Sequence, residues 1–257
     1  MNSKNFNGAA HISNQISAKI QTMKKSKLIL LLMLQFCIIF SVSVCIGQTH
    51  EWEDLFDGKT LDGWTPYSGR ATYEVINGEI VGTAVPNSPN TFLCTDRVFG
   101  DFVLEFEVFL VHPELNSGVQ FRSQVPEQEV IYWFRDNEGN PGKKVIPAKR
   151  LYGYQVEIAT ERLGTSGGVY DEGRRAFMIW VPTQGSAASR AFKEHQWNRY
   201  RIECIGPSIK TWINDIACAD FEDAMTSQGI IGLQVHGVGP DETPYQVKWR
   251  NIRIMEK

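Results

Sequence analysis

Hydrophobic and polar positions alternate along most of the chain. In Phe102-Val-Leu-Glu-Phe-Glu-Val-Phe109, Phe102, Leu104, Phe106 and Val108 share one side, while Val103, Glu105, Glu107 and Phe109 share the other. That is the two-residue period of a strand with a buried face. The period recurs in Asn116-Ser-Gly-Val-Gln-Phe-Arg122, with Val119 and Phe121 against Gln120 and Arg122. In Tyr152-Gly-Tyr-Gln-Val-Glu-Ile158, Tyr154, Val156 and Ile158 oppose Gln155 and Glu157. In Gly229-Ile-Ile-Gly-Leu-Gln-Val-His236, Ile231, Leu233 and Val235 oppose Gln234 and His236. Tyr73–Val81 reads as a hairpin turning at Asn77-Gly78, a pair suited to a two-residue turn. Other strands fall at Thr91–Cys94, Ala176–Val181, Gln196–Cys204, Ser208–Ile213, Ile216–Ala219 and residues 247–254, with at most one helical turn in Phe221–Ser227. Pro126–Arg150 is polar, with Asn137, Gly139, Pro141 and Gly142, and reads as a long functional loop or lid. About a dozen short strands separated by turn signals predict an all-β sandwich or barrel of two antiparallel sheets.

The first fifty residues stand apart. Residues 1–22 are polar; Met23-Lys-Lys-Ser-Lys27 then precedes Leu28-Ile-Leu-Leu-Leu-Met-Leu34 and Phe36-Cys-Ile-Ile-Phe40. A basic segment followed by an apolar run is the pattern of an export signal. Residues 1–48 are therefore expected to be extension and signal, and 50–257 the folded domain. Val42-Ser-Val-Cys45 is a poor match for lipid attachment, so cleavage is expected near Gly47–Thr49, with no stable membrane span afterwards. The destination is the periplasm or the exterior, or a lipid anchor should Cys45 be modified. Beyond that point Cys94, Cys204 and Cys218 remain, an odd number. Cys204 and Cys218 lie in neighbouring predicted strands, as a bridge or as small buried residues. A net charge of -3 over 257 residues gives no basic footprint for nucleic acid. Gly164–Gly173 is glycine-rich but lacks the Gly-Lys-Ser/Thr ending of a phosphate loop.

The polar faces carry the candidate chemistry. If the four alternating strands pair in one sheet, Glu105, Gln120, Arg122, Gln155, Glu157, Gln234 and His236 line one surface. Outward strand residues are polar in any antiparallel sheet. Here, however, they are carboxylates, amides, a guanidinium and an imidazole, with Tyr170, Trp133, Trp180 and Trp249 as bordering rings. That mixture suits a polyhydroxylated ligand, a sugar. A divalent metal held by Glu and His is compatible with it, but no ligand motif demands one.

The ordered pieces Leu55-Phe-Asp-Gly-Lys-Thr-Leu-Asp-Gly-Trp64, Phe102-Val-Leu-Glu-Phe-Glu107, Asn116-Ser-Gly-Val-Gln-Phe-Arg122, Gly153-Tyr-Gln-Val-Glu-Ile158, Gly168-Val-Tyr170, Gln196-Trp-Asn198, Trp212-Ile-Asn214, Gly232-Leu-Gln-Val-His236 and Trp249-Arg-Asn-Ile252 together resemble the 3-keto-disaccharide hydrolase domain family over about residues 52–256. The resemblance implies a concanavalin-like jelly roll and a sugar oxidised at C3, a 3-keto-glucoside or disaccharide. A C3 ketone acidifies the C2 proton, so one base can drive elimination of the C1 substituent, and water then adds. On that reading Glu157 or His236 is the base and Arg122 meets the ketone oxygen. Glu105 or Tyr170 serves the leaving group, and Asn116, Gln120, Gln155, Gln234, Tyr170 and Trp133 hold the sugar. The insertion at Pro126–Arg150 departs from the family pattern. The alternative is a non-catalytic carbohydrate-binding module, since one jelly roll serves either role. A conventional glucan hydrolase would carry Glu-x-Asp-x-x-Glu, which this sequence lacks.

Overall fold

The computed structural model describes residues 50–136, 138–240 and 245–257, with 21 and 23–25. The segment read as an export signal otherwise lies outside the described residues. No helix among those described is long and apolar enough to cross a membrane.

In chain order the strands are β1 (Glu53–Asp54), β2 (Trp64–Tyr67), β3 (Thr72–Ile76), β4 (Glu79–Thr83), β5 (Thr91–Thr95), β6 (Phe102–Leu110), β7 (Ser117–Gln124), β8 (Val130–Arg135), β9 (Pro141–Ile146), β10 (Tyr152–Ile158), β11 (Val169–Glu172), β12 (Met178–Trp180), β13 (Asn198–Ile205), β14 (Ser208–Ile213), β15 (Ile216–Glu222), β16 (Ile230–Val235) and β17 (Gln246–Glu256). They form two large antiparallel sheets. The back sheet runs β15-β14-β13-β6-β17-β4-β3, with β1 also on β17; the front sheet runs β12-β11-β10-β7-β16-β5-β2. Between β3 and β4 the chain reverses through Asn77 (φ 53°) and Gly78 (φ 80°), the positive-φ pair a tight two-residue hairpin requires.

The core lies between the sheets. Phe102, Leu104, Phe106 and Val108 enter it from the back sheet; Val119, Phe121, Tyr154, Val156, Leu233 and Val235 enter from the front. Two ring pairs stack there, Phe106 on Tyr200 at 5.2 Å and Phe121 on Tyr154 at 5.5 Å. Trp64 is buried and its Nε1–H donates to Leu55 O at 2.8 Å. Cys94, Cys204 and Cys218 are free, buried thiols.

Two expectations need correction. Pro126–Arg150 is not a loop: β8 and β9 pair through six registered positions, Val130↔Ile146 to Arg135↔Pro141. Val130-Ile-Tyr-Trp-Phe134 is a strand-forming run that the flanking polar residues obscured. Phe221–Ser227 contains no helical turn either, because β15 continues to Glu222.

Candidate functional site

Three of the four alternating strands are neighbours in the front sheet, in the order β10-β7-β16; the fourth, β6, is in the back sheet. Glu105 is thereby removed from the candidate surface. It projects from the outer side of the back sheet, where its carboxylate accepts from Arg201 (3.1 Å) and Arg253 (2.7 Å). Burial works to raise this carboxyl, but the hydrogen bonds from Arg253 and Arg201 outweigh it and leave it below its ordinary value. A shallow depression of about 280 Å³ beside it is lined by charged groups of the same outer face.

Arg122 is corrected as well. On β7, Gln120 and Ser123 lie opposite Gly232 and Ile230 of β16, three steps against two, so the strand carries a bulge. Arg122 sits in it at φ 46°. The nearby Gly229 leaves room for the kink: a Cβ there would be 2.3 Å from the Arg122 carbonyl carbon. The extra residue breaks the alternation and turns Arg122 away from the polar face. Its guanidinium is fully buried and donates to Gly100 O (2.9 Å), Gly206 O (2.7 Å) and Asp101 Oδ1 (2.8 Å). It ties the approach to β6 to the β13–β14 turn.

On the polar face, register brings Gln155 opposite Gln120 and Glu157 opposite Gly118. A Cβ on Gly118 would lie 2.4 Å from Gln155 Cδ, so the missing side chain is what lets Gln155 lie across β7. A directional chain of hydrogen bonds results. Ser123 Oγ–H donates to Gln120 Oε1 (2.8 Å), Gln120 Nε2 to Gln155 Oε1 (2.7 Å), and Gln155 Nε2 to Glu157 Oε2 (3.2 Å). Asn116 Nδ2 donates to Glu157 Oε1 at 3.1 Å. Both Glu157 oxygens are thus fixed by amides. Burial nevertheless pushes its carboxyl up to about 7, against those two hydrogen bonds and with help from the charge of Glu172. Among the described residues a carboxylate held there has no cationic partner to neutralise it, and it divides evenly between its two forms near neutrality.

Gln234 extends from β16 on the same face and is buried; among the described residues its Oε1 and the Oδ1 of Asn116 have no hydrogen-bond partner. Two buried acceptors without donors are costly unless something with hydroxyls satisfies them. His236 follows Gln234 and is half-buried. Its Nδ1 lies 2.8 Å from Gly237 O, and since a carbonyl only accepts, Nδ1 carries hydrogen and Nε2 is left for a ligand. Its charge also acts on Glu172.

The β11 edge completes the face. Tyr170 lies opposite Gln155 and Glu172 opposite Gly153. Burial, then the charges of Glu172 and Glu157, raise the Tyr170 hydroxyl above its ordinary value. Glu172, missed from sequence, is buried and accepts from Arg150 Nη2 at 2.8 Å. Burial still leaves its carboxyl raised, despite Arg150. Its signal is alternation: Tyr170 and Glu172 stand two apart and so share one face of β11. Ser123 was hidden by the bulge.

The bordering rings are placed elsewhere. Trp249 is buried in the core from the back sheet, and Trp180 stacks on Phe221 at 5.9 Å. Trp133 is 69% exposed on β8, with Lys143 over its ring at 5.6 Å. Neither Trp249 nor Trp180 borders the polar face as expected. Among the described residues no group of three or more His, Cys, Asp or Glu is gathered as a metal cluster would require.

The model of a family described as the 3-keto-alpha-glucoside-1,2-lyase-like domain matches residues 51–255. No curated protein matches the chain. Among solved structures it is similar to a candidate glycosyl hydrolase from Parabacteroides distasonis, at 15% identity and TM-score 0.50, covering 80% of this chain and 94% of that one. It is also similar to a carbohydrate-binding module from Bacillus subtilis (16%, TM-score 0.49, 76% and 96% covered). A third is a Bacillus subtilis protein of unknown function with a galectin-like fold (9%, TM-score 0.49, 80% and 98% covered). At these identities the likeness is one of fold.

Proposed function

The chain belongs to the 3-keto-alpha-glucoside-1,2-lyase-like domain family, and from that premise we propose that it cleaves glycosides already oxidised at C3, with Glu157 as the base. The observation that carries this reading is the state of Glu157. It is a buried carboxylate, fixed through both oxygens by Gln155 and Asn116, with its pKa raised to about 7. A base matched to neutral pH is the most effective for proton abstraction. Carbohydrate as the ligand class is supported by Gln234 Oε1 and Asn116 Oδ1, two buried acceptors that sugar hydroxyls would satisfy.

In this scheme the ionised Glu157 takes the proton from C2, made acidic by the C3 ketone. The C2–H electron pair becomes the C1=C2 bond as the C1–O bond breaks, and the departing oxygen takes a proton. Water then adds across C1=C2, hydroxyl to C1 and proton to C2, giving the free 3-keto sugar. Negative charge develops on the ketone oxygen during abstraction and needs a donor. Arg122 is buried on the other side of the bulge and is not available. We assign that role to His236 acting as the imidazolium, in which Nδ1–H is engaged by Gly237 O and Nε2–H is left to donate. Tyr170 is assigned to protonate the leaving oxygen; its raised pKa keeps it protonated at neutral pH. Ordinary glycoside hydrolysis instead needs two carboxyl groups flanking the anomeric carbon.

The experiment is to offer a 3-keto glucoside beside its unoxidised parent and follow release of the aglycone. Release from the keto compound alone, lost in Glu157→Gln, supports the reading. Release from the parent alone overturns it, and binding of both without cleavage assigns the domain as a binding module.

A further inference from the structure

Between β11 and β12 the chain turns through Arg174 and Arg175, whose side chains are buried. Asp171, on the side of β11 opposite Tyr170 and Glu172, accepts from Arg174 Nε through both oxygens (3.0 and 3.1 Å) and from Arg175 Nε. Asp223, just beyond β15, accepts from Arg175 Nη1 (2.7 Å) and from the Tyr154 hydroxyl. Every oxygen of the two carboxylates is thereby engaged. The donors are not: Arg174 Nη1, Arg174 Nη2 and Arg175 Nη2 are buried and have no hydrogen-bond partner among the described residues. Each of these nitrogens carries two hydrogens, and buried donors left unpaired are costly. The rings of Tyr132 and Tyr154 pack over Arg174 at 5.6 and 5.0 Å, but a ring over the guanidinium does not meet hydrogens that point outward in its plane.

We propose that Arg174 and Arg175 bind a small monovalent anion, with chloride as its simplest form. Both guanidiniums hold Asp171, so they are neighbours, and their unpaired nitrogens supply the ligands. Water fits the place less well. It accepts, but it also brings hydrogens to a cluster whose carboxylate oxygens are already occupied. An anion only accepts, and its hydrogen bonds from a guanidinium are charge-assisted, about twice as strong as neutral ones. The site lies on the reverse of the β11 edge that carries Tyr170 and Glu172, and it does not depend on the function assigned above. Its role is structural: the anion completes a network that ties the β11–β12 turn to the end of β15 in the other sheet.

The test begins with the wild-type protein. Crystals grown in bromide should show an anomalous peak within hydrogen-bond reach of Arg174 Nη1 or Nη2; a water there with no anomalous signal overturns the site. In solution, gluconate is exchanged for chloride at constant ionic strength. For a dissociation constant of about 10 mM, about 100 mM chloride should lower the unfolding constant by about tenfold. The melting temperature should then rise by about 3–6 °C. Equal melts in the two salts, even with a bromide peak, would mean an adventitious ion only and overturn the proposal. Arg174→Gln keeps a donor for Asp171 and removes the guanidinium fork, so its melt should be the same in chloride and gluconate. A variant that retains the chloride effect overturns the assignment to Arg174. Should the variant fail to fold, the two wild-type measurements decide.

Discussion

The Gln155 carboxamide occupies the space above Gly118, where a Cβ would come within 2.4 Å of Gln155 Cδ. Because Gln155 also donates to Glu157 Oε2, the absence of one side chain on β7 sets the orientation of a carboxylate on β10. Gly118→Ala should therefore act on catalysis more than on folding. The backbone there is not left-handed, and the added methyl meets a side chain on the polar face rather than the core. We expect kcat to fall by about 10²-fold, as for a group displaced by an ångström, with a stability loss of about 1–3 kcal/mol from overpacking. Steady-state kinetics and thermal melts check this; unchanged kcat would mean that Gln155 does not position Glu157.

The dependence of rate on pH follows from the carboxyl raised to about 7. If ionised Glu157 is the base, kcat/KM for a 3-keto glucoside should rise with unit slope and level off above about pH 7. Glu157→Gln should lower kcat by about 10²–10⁴-fold and abolish that limb, while binding of the substrate persists. A limb that survives in the variant would belong to another group.

Stability should run the opposite way. A carboxyl whose folded pKa is raised favours the fold fully below its unfolded value, and that contribution is lost as pH climbs through the folded value. For Glu157 the window runs from 4.5 to about 7, and Glu172 is shifted in the same direction. The paired carboxyl of Glu105, lowered instead, contributes stability that is lost on acidification. The comparison of wild type with Glu157→Gln cancels Glu105 and isolates Glu157. Relative to the variant, wild type should lose stability between pH 4 and 8, by up to about 3 kcal/mol at 1.36 kcal/mol per unit. Denaturant titrations at the two pH values measure it.

Much of this was legible in the sequence because a strand's period is two. Gln120, Gln155, Glu157 and Gln234 share a face of the front sheet, as their alternation with Val119, Val156 and Leu233 indicates. Period two says which residues share a side of one strand, but not which strands share a sheet. For that reason Glu105, with the same pattern, was grouped with strands of the other layer. Nor does the period announce its own interruption. The bulge at Arg122 inserts one residue and reverses everything after it, and its marks, a positive φ and the close approach of Gly229, exist only in three dimensions. The aromatic rings were misplaced for a related reason, since Trp249 alternates as well in a buried strand as at a rim.

The buried guanidinium of Arg122 provides the sharpest check on that correction. It donates to Gly100 O, Gly206 O and Asp101 Oδ1, and so joins the approach to β6 and the β13–β14 turn of the back sheet to the front sheet's bulge. Arg122→Met keeps most of the side-chain volume but leaves two carbonyls without their donor and breaks the ion pair. Hydrogen bonds from a charged group contribute about 1.5–3 kcal/mol each, while Asp101, with 39% of its side chain exposed, falls back on solvent. The melting temperature should fall accordingly, whereas kcat measured well below the melt should stay within about threefold of wild type, a difference of ~0.7 kcal/mol in the barrier. A guanidinium acting on the ketone oxygen would give the reverse: a normal melt and a rate lowered by about 10²–10³-fold.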